Sequence, residues 1–249
     1  MKRVIVYGDI HGCLDELKTL REKLDIQKED LEISVGDILN KGPYLAHDMI
    51  RYVQEHHIEV IMGNNEAKAL RQYRKYRKSG ESYLQTTLRP FETATVLSLQ
   101  EEDAAYLAAL PYHKRVHNLT VIHGGLLPGM SLDALDETEK KEMTLVRYLD
   151  KNLEPIPWSD TENRYKFWAE VYDGREGFIV AGHHPFPEPK VAHYAMDIDT
   201  GCVYGGKLTA AVFEVKKEKV DTKHYTLVSQ KAARDYWNEY LKGERDEED

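Results

Sequence analysis

The 249-residue sequence predicts a mixed α/β domain with two packed sheets and a helical insertion near residues 65–110. Three observations predict it. The first third alternates short apolar runs with helical patterns, the signature of βαβ units and a parallel sheet. The middle is charged and helical, with no strand signal. The last third returns to short apolar runs, enough for a second sheet packed on the first. No internal repeat or low-complexity linker divides the chain. A single domain over 1–243 is expected, followed by an acidic disordered tail at 244–249.

In chain order, the first apolar run is Val4-Ile5-Val6-Tyr7. The helix after it places Leu14, Leu17, Leu20 and Leu24 at helical spacing. Leu31 to Val35 reads as a strand, Met49, Ile50 and Val53 mark a helix, and Ile58 to Met62 reads as the next strand. After Pro111, strands at 112–116 and 119–122 flank His117-Asn118, a turn. Helices are expected near 139–148 and 164–171. Phe178–Ala181, Tyr194–Ile198, Leu208–Val215 and His224–Val228 complete the strands. A closing helix at about 231–241 carries Tyr236, Trp237 and Tyr240 on its apolar side.

Composition bounds the function classes. Apolar residues are 41% and charged residues 31%, which suits a globular chain. No run approaches a membrane span, the N-terminus has no signal-peptide pattern, and the two cysteines imply no disulfide framework. A cytoplasmic location without membrane attachment is expected. The net charge of −9 argues against binding an extended nucleic-acid duplex. One basic run, Arg71 to Lys78, reads as a solvated face or as a phosphate-attracting rim.

The chemistry sits where apolar strands end. Val4–Tyr7 runs into Gly8-Asp9-Ile10-His11-Gly12, and Ile33-Ser34-Val35 into Gly36-Asp37. Val60-Ile61-Met62 runs into Gly63-Asn64-Asn65-Glu66, Val121-Ile122 into His123-Gly124-Gly125, and Phe178–Ala181 into Gly182-His183-His184. The carboxyl edge of an open α/β sheet is where ligands bind. Glycine there allows sharp turns and close backbone approach. Asp, Asn and His without Cys suit divalent ions such as manganese, iron, zinc, nickel or magnesium, with manganese expected first. Each motif alone is commonly a turn. Together and in order they point to a binuclear metal centre.

This series resembles the calcineurin-like metallophosphoesterase superfamily, specifically its PPP-type branch of protein phosphatases, lambda-type phosphatases and diadenosine tetraphosphatases. The stretch from Ile198 through Asp199-Thr200-Gly201-Cys202 to Ala210 is most similar to the diadenosine-tetraphosphatase-like and bacterial polynucleotide-phosphatase members. The resemblance implies an αββα two-sheet sandwich. It implies that Asp9 and His11 hold one metal, Asp37 bridges both, and Asn64, His123 and His183 complete the second site. Lys41 falls where the family has a phosphate-gripping Arg. Arg147 matches a second clamp, with an exposed helix residue as the alternative.

Two departures fall in one unit. The family's Asp-Arg-Gly is here Asn40-Lys41-Gly42, and its Gly-Asn-His-Glu is Gly63-Asn64-Asn65-Glu66. The resemblance makes that His a general acid and that Asp its partner. Asn40 and Asn65 can hydrogen-bond but cannot deliver a proton. His184, or less directly His113, is the candidate replacement.

The reading is a metal-dependent phosphoesterase in which metal-bound hydroxide attacks a phosphomonoester or phosphoanhydride. Asp37, Asn65 and His184 are the candidate catalytic residues; Lys41, Arg147 and Asn64 are the candidate phosphate ligands. Nucleotide-type substrates are favoured. A phosphoprotein substrate is the first alternative, and a catalytically weak metal- or nucleotide-binding protein the second. Cys13 and Cys202 have no ligand-like partners nearby in sequence.

Overall fold

The computed structural model describes residues 2–247, with two five-stranded sheets packed face to face. The first sheet contains β1 (Arg3–Tyr7), β2 (Leu31–Ser34), β3 (Glu59–Val60), β11 (Lys207–Lys216) and β12 (Lys219–Lys231). Its spatial order is β12-β11-β1-β2-β3, with β1, β2 and β3 parallel. The second contains β4 (His113–Val116), β5 (Leu119–Ile122), β8 (Phe178–Ala181), β9 (Lys190–Val191) and β10 (Ala195–Asp197), in the order β4-β5-β8-β10-β9. A short ribbon pairs β6 (Tyr148–Leu149) with β7 (Lys166–Phe167).

Strand alternation separates three apolar layers. Val4 and Val6 of β1 point between the sheets, where they pack with Leu119, Val121 and Val180 of the second sheet. Ile5 and Tyr7 point the other way, into a core shared with α1 (Leu14–Lys23) and α2 (Ala46–Glu55). Ile179, Ala181 and Ala195 line the outer face of the second sheet, under Met143 and Trp168. This is the αββα sandwich expected from the resemblance.

The insertion consists of α3 (Asn64–Ser79), α4 (Glu81–Thr87), α5 (Pro90–Ser98) and α6 (Glu101–Ala108). Ala69, Leu70, Val96 and Leu107 seal it onto the core that holds α1 and α2. The turn at His117-Asn118 forms as expected, with Val116 paired to Leu119 and His117 at φ 54°.

Two expected helices are corrected. The segment at 139–148 is helical only in α7 (Glu137–Met143), where the chain end packs on Gly124 and Gly125, and Gly125 N–H donates to the Met143 carbonyl. The segment at 164–171 is irregular at 164–165, forms β7 at 166–167 and continues as a single 3-10 turn, Trp168–Glu170. Pairing of Tyr148 with Phe167 decides both, a long-range contact that helical periodicity does not encode. The closing helix α8 runs from Tyr236 to Glu247, and Trp237 and Tyr240 pack edge-on against Phe91. Of the expected tail, residues 248–249 lie outside the described part. No helix among the described residues is long and apolar enough to cross a membrane.

Candidate active site

Residues following the carboxyl ends of β1, β2 and β3 meet those following β5 and β8 across one edge of the sandwich. Asp9, His11 and Asp37 form one group whose ligand atoms lie within 4.8 Å of one another, and Asp37, His123 and His183 form a second. Asp37 belongs to both. His11 Nε2 lies 3.8 Å from Asp9 Oδ2 and 3.6 Å from Asp37 Oδ2. His123 Nε2 lies 3.4 Å from Asp37 Oδ1 and 3.0 Å from Asn64 Oδ1. All six residues named as metal ligands are therefore neighbours.

The main chain aims these side chains. A carbonyl can only accept, so His11 Nδ1–H donates to the Leu39 carbonyl (3.0 Å) and His123 Nδ1–H to that of Val35 (2.9 Å). Each Nε2 lone pair then faces the carboxylate of Asp37. His11, Asp37 and His183 hold φ of 48°, 49° and 75°, a left-handed conformation uncommon for such residues. Packing over-determines it. A Cβ on Gly182 would lie 2.2 Å from Asp9 Oδ1, and one on Gly63 would lie 2.4 Å from Asp37 Oδ1. Glycine at both places lets backbone press against a carboxylate.

Glu66 holds the loop after β2. Its carboxylate accepts from the N–H groups of Asp37 (2.7 Å), Ile38 (2.9 Å), Leu39 (3.3 Å) and Gly63 (3.0 Å). Burial and the nearby Asp37 push its pKa up to about 8 against those donors. The motif containing Glu66 was visible in sequence, but its role required the fold.

The electrostatics fit a cationic occupant. Burial lowers all three imidazoles, His11 to about 3 with help from Lys41, so each is neutral near pH 7, as a metal ligand must be. Burial, Asp199 and Asp37 raise Asp9 well above the usual carboxylate range. Burial also opposes ionisation of Asp37, yet the surrounding imidazoles and Lys41 hold it low. Asp9 Oδ2 and His183 Nε2 are buried without hydrogen-bond partners among the described residues. Crowded carboxylates, neutral imidazoles and orphaned donor atoms are the environment that divalent cations complete.

A cavity of about 360 Å³ opens above this floor. Asn64, Lys41 and Arg147 all line it. Arg147 is half-buried in the segment between α7 and β6, not on an exposed helix face; its guanidinium stacks over Trp158 at 5.3 Å. Its Nε has no hydrogen-bond partner among the described residues. Lys41 Nζ donates to Tyr204 Oη at 2.7 Å.

The Asn40–Asn65 corner is fully wired. Thr95 Oγ1–H donates to Asn40 Oδ1, and Asn40 Nδ2–H donates to Asn65 Oδ1 at 3.1 Å. Asn65 Nδ2–H then donates to Asp37 Oδ2, while its main-chain N–H donates to Oδ1 at 2.8 Å. His184 also lines the cavity, packed edge-on against Phe186 (4.5 Å) and Trp158 (5.0 Å). Burial and Arg147 lower its pKa to about 4. His113 begins β4 and is not among the lining residues.

Sequence reasoning missed four wall residues: Trp158, Pro185, Asp199 and Tyr204. Asp199 carried a usable signal, because it follows the buried end of β10 as Asp9 and Asp37 follow β1 and β2. Burial raises it to about 6. Trp158, 56% exposed in an irregular segment, carried none. The basic run lies on α3, where Arg71, Arg74, Lys75 and Lys78 face outward.

Carboxylate and imidazole donors gathered at these strand ends make a site suited to divalent metal ions. A family model for calcineurin-like phosphoesterases matches residues 2–228, and the chain belongs to that family. It is a hydrolase of phosphoric esters or anhydrides, and the family implies divalent metal ions. Similar proteins include bis(5'-nucleosyl)-tetraphosphatase PrpE [asymmetrical] of Halalkalibacterium halodurans, 31% identical over 91% of this chain and 96% of that one. The protein of the same name from Bacillus mycoides is 32% identical over 82% and 87% of the two chains. Among solved structures, one provisionally described as a diadenosine tetraphosphatase superposes with a TM-score of 0.74 at 27% identity, covering 93% of this chain and 94% of that one.

Proposed function

We propose that this chain hydrolyses the phosphoanhydride chain of a dinucleoside polyphosphate, cutting it asymmetrically as the names of its relatives describe. One observation carries the reading: the corner where the family places a proton donor holds the wired amides Asn40 and Asn65, beside Lys41 and Arg147 at the cavity wall. A phosphate leaving group departs as a stable anion and needs little proton assistance. A serine alkoxide needs much more.

Asp9, His11 and Asp37 would hold one divalent ion and Asp37, Asn64, His123 and His183 a second, with manganese the first choice. When bound they supply an activated water and draw negative charge from the phosphate. The remaining work falls to the chain. Asn65 fixes both oxygens of Asp37 through its side-chain and main-chain N–H groups. Arg147 supplies a planar donor fork for phosphate oxygens, and Lys41 a point charge. For His184, aromatic packing and a depressed pKa favour a wall residue over a proton donor. A cytoplasmic location agrees with a nucleotide substrate.

The test compares diadenosine tetraphosphate, an aryl phosphate and a phosphoserine peptide at saturating Mn²⁺. The tetraphosphate should be cleaved fastest, into unequal nucleotide products. Faster turnover of phosphoserine would overturn the reading.

A further inference from the structure

Cys13 and Cys202 are the only cysteines in the chain, and the fold brings them together beneath the active site. Cys13 precedes α1, directly after the loop bearing His11. Cys202 opens the 3-10 turn Cys202–Tyr204, which ends at the tyrosine that receives the Lys41 hydrogen bond. Glu16 joins them from the first turn of α1. One ligand atom from each lies within 4.8 Å of the other two. All are buried, with exposures of 0% for Cys13, 2% for Cys202 and 3% for Glu16.

The carboxylate of Glu16 is only half satisfied. Its Oε1 accepts from Ala233 N–H (3.0 Å) and Tyr236 O–H (2.7 Å). Its Oε2 is buried with no hydrogen-bond partner among the described residues. A buried carboxylate oxygen without a donor is costly, and two weakly donating thiols compensate poorly. A thiophilic cation would satisfy it. Zinc accepts both thiolate and carboxylate at about 2.0–2.3 Å, which places the ligand atoms of a tetrahedral site roughly 3.4–3.8 Å apart. The ligand atoms, within 4.8 Å of one another, already stand within about 1–1.5 Å of that spacing. Hard ions that favour oxygen have no reason to choose two sulfurs.

We propose that Cys13, Cys202 and Glu16 bind one zinc-like divalent ion, separate from the catalytic centre. Binding sends both thiol protons to solvent and leaves two thiolates and one carboxylate on the metal. The ion ties the loop carrying His11 to the turn carrying Tyr204, so it fixes two walls of the cavity from behind. Its role is structural, because nothing in the cluster lines the cavity.

The catalytic donors are all oxygen and nitrogen, which makes the two sites separable by spectroscopy. The full-length protein is stripped with a chelator and reloaded with Co²⁺. A sulfur-to-cobalt charge-transfer band in the near ultraviolet can arise only at the cysteines. Wild type and Asp37→Asn should both show it at one equivalent, and Cys13→Ser/Cys202→Ser should not. Glu16→Gln should keep the band with metal held at least about 10-fold more weakly. If the double serine variant does not fold, wild type and Glu16→Gln decide the matter. Absence of the band in wild type, whether the thiols then titrate as free or prove to be oxidised, overturns the proposal.

Discussion

The floor of the cavity and its Asn40–Asn65 corner are built alike, from loops at strand ends with buried polar groups, yet their protons behave oppositely. On the floor, burial strips charge from the imidazoles while Asp37 stays ionised, so donor atoms face a position made for cations. In the corner, the run Thr95–Asn40–Asn65 ends on Asp37, and neither its hydroxyl nor its amides can titrate. The corner keeps the connectivity suited to holding Asp37 and has lost the ability to donate a proton. Geometry and protonation are separable properties of a site.

The largest expected effect breaks the floor. Asp37→Asn removes the carboxylate shared by both ligand groups and should lower kcat on every substrate by on the order of 10³-fold, measured with excess Mn²⁺. The next rewrites the corner. Asn40→Asp with Asn65→His should raise the rate on alkyl phosphomonoesters by about 10²-fold and barely change that on anhydrides, since only the former need an acid. An equal gain on both would mean that the corner acts through Asp37 alone.

Arg147→Ala should cost roughly 10-fold or more in kcat/KM through a lost charge-assisted contact, and Arg147→Lys should recover only part of it. Glu66→Gln leaves fewer acceptors for four N–H groups at the floor. Chemical denaturation should show a loss of about 1–3 kcal/mol.

The smallest effect is on the support of the corner. Burial opposes ionisation of Glu92, but Arg89 and Lys68 outweigh it and hold its pKa at about 2, against 4.5 when unperturbed. A depressed carboxyl contributes stability above its unfolded pKa and loses it as pH falls through the folded one. Stability should therefore decline from about pH 4.5 towards 2 in wild type. In Glu92→Gln that part of the slope should be absent from denaturant midpoints measured across the window.

The floor was legible in sequence because its signal is local. An apolar strand followed by Gly and an Asp, Asn or His can be read within about eight residues, and β1, β2, β5 and β8 each announce their own ligand. The layering followed for the same reason, since Val4 and Val6 alternate with Ile5 and Tyr7. Segments whose structure depends on distant partners were not legible. Segments 144–148 and 164–167 look helical by periodicity, yet they run irregularly into the ribbon that forms where Tyr148 finds Phe167. Trp158 reaches the cavity from an irregular segment with no pattern at all.

The sequence by itself determined which donors stand at which strand ends, and that the usual Asp and His of the acid pair are both Asn. Residue identity and period-2 alternation settle those points without any contact being known. Only the tertiary structure decided that Asn65 clamps Asp37, that Arg147 lines the cavity, and that Cys13, Glu16 and Cys202 share one buried space. Those are relations between strands, turns and helices far apart in the chain. Long-range packing, which no local pattern encodes, sets them.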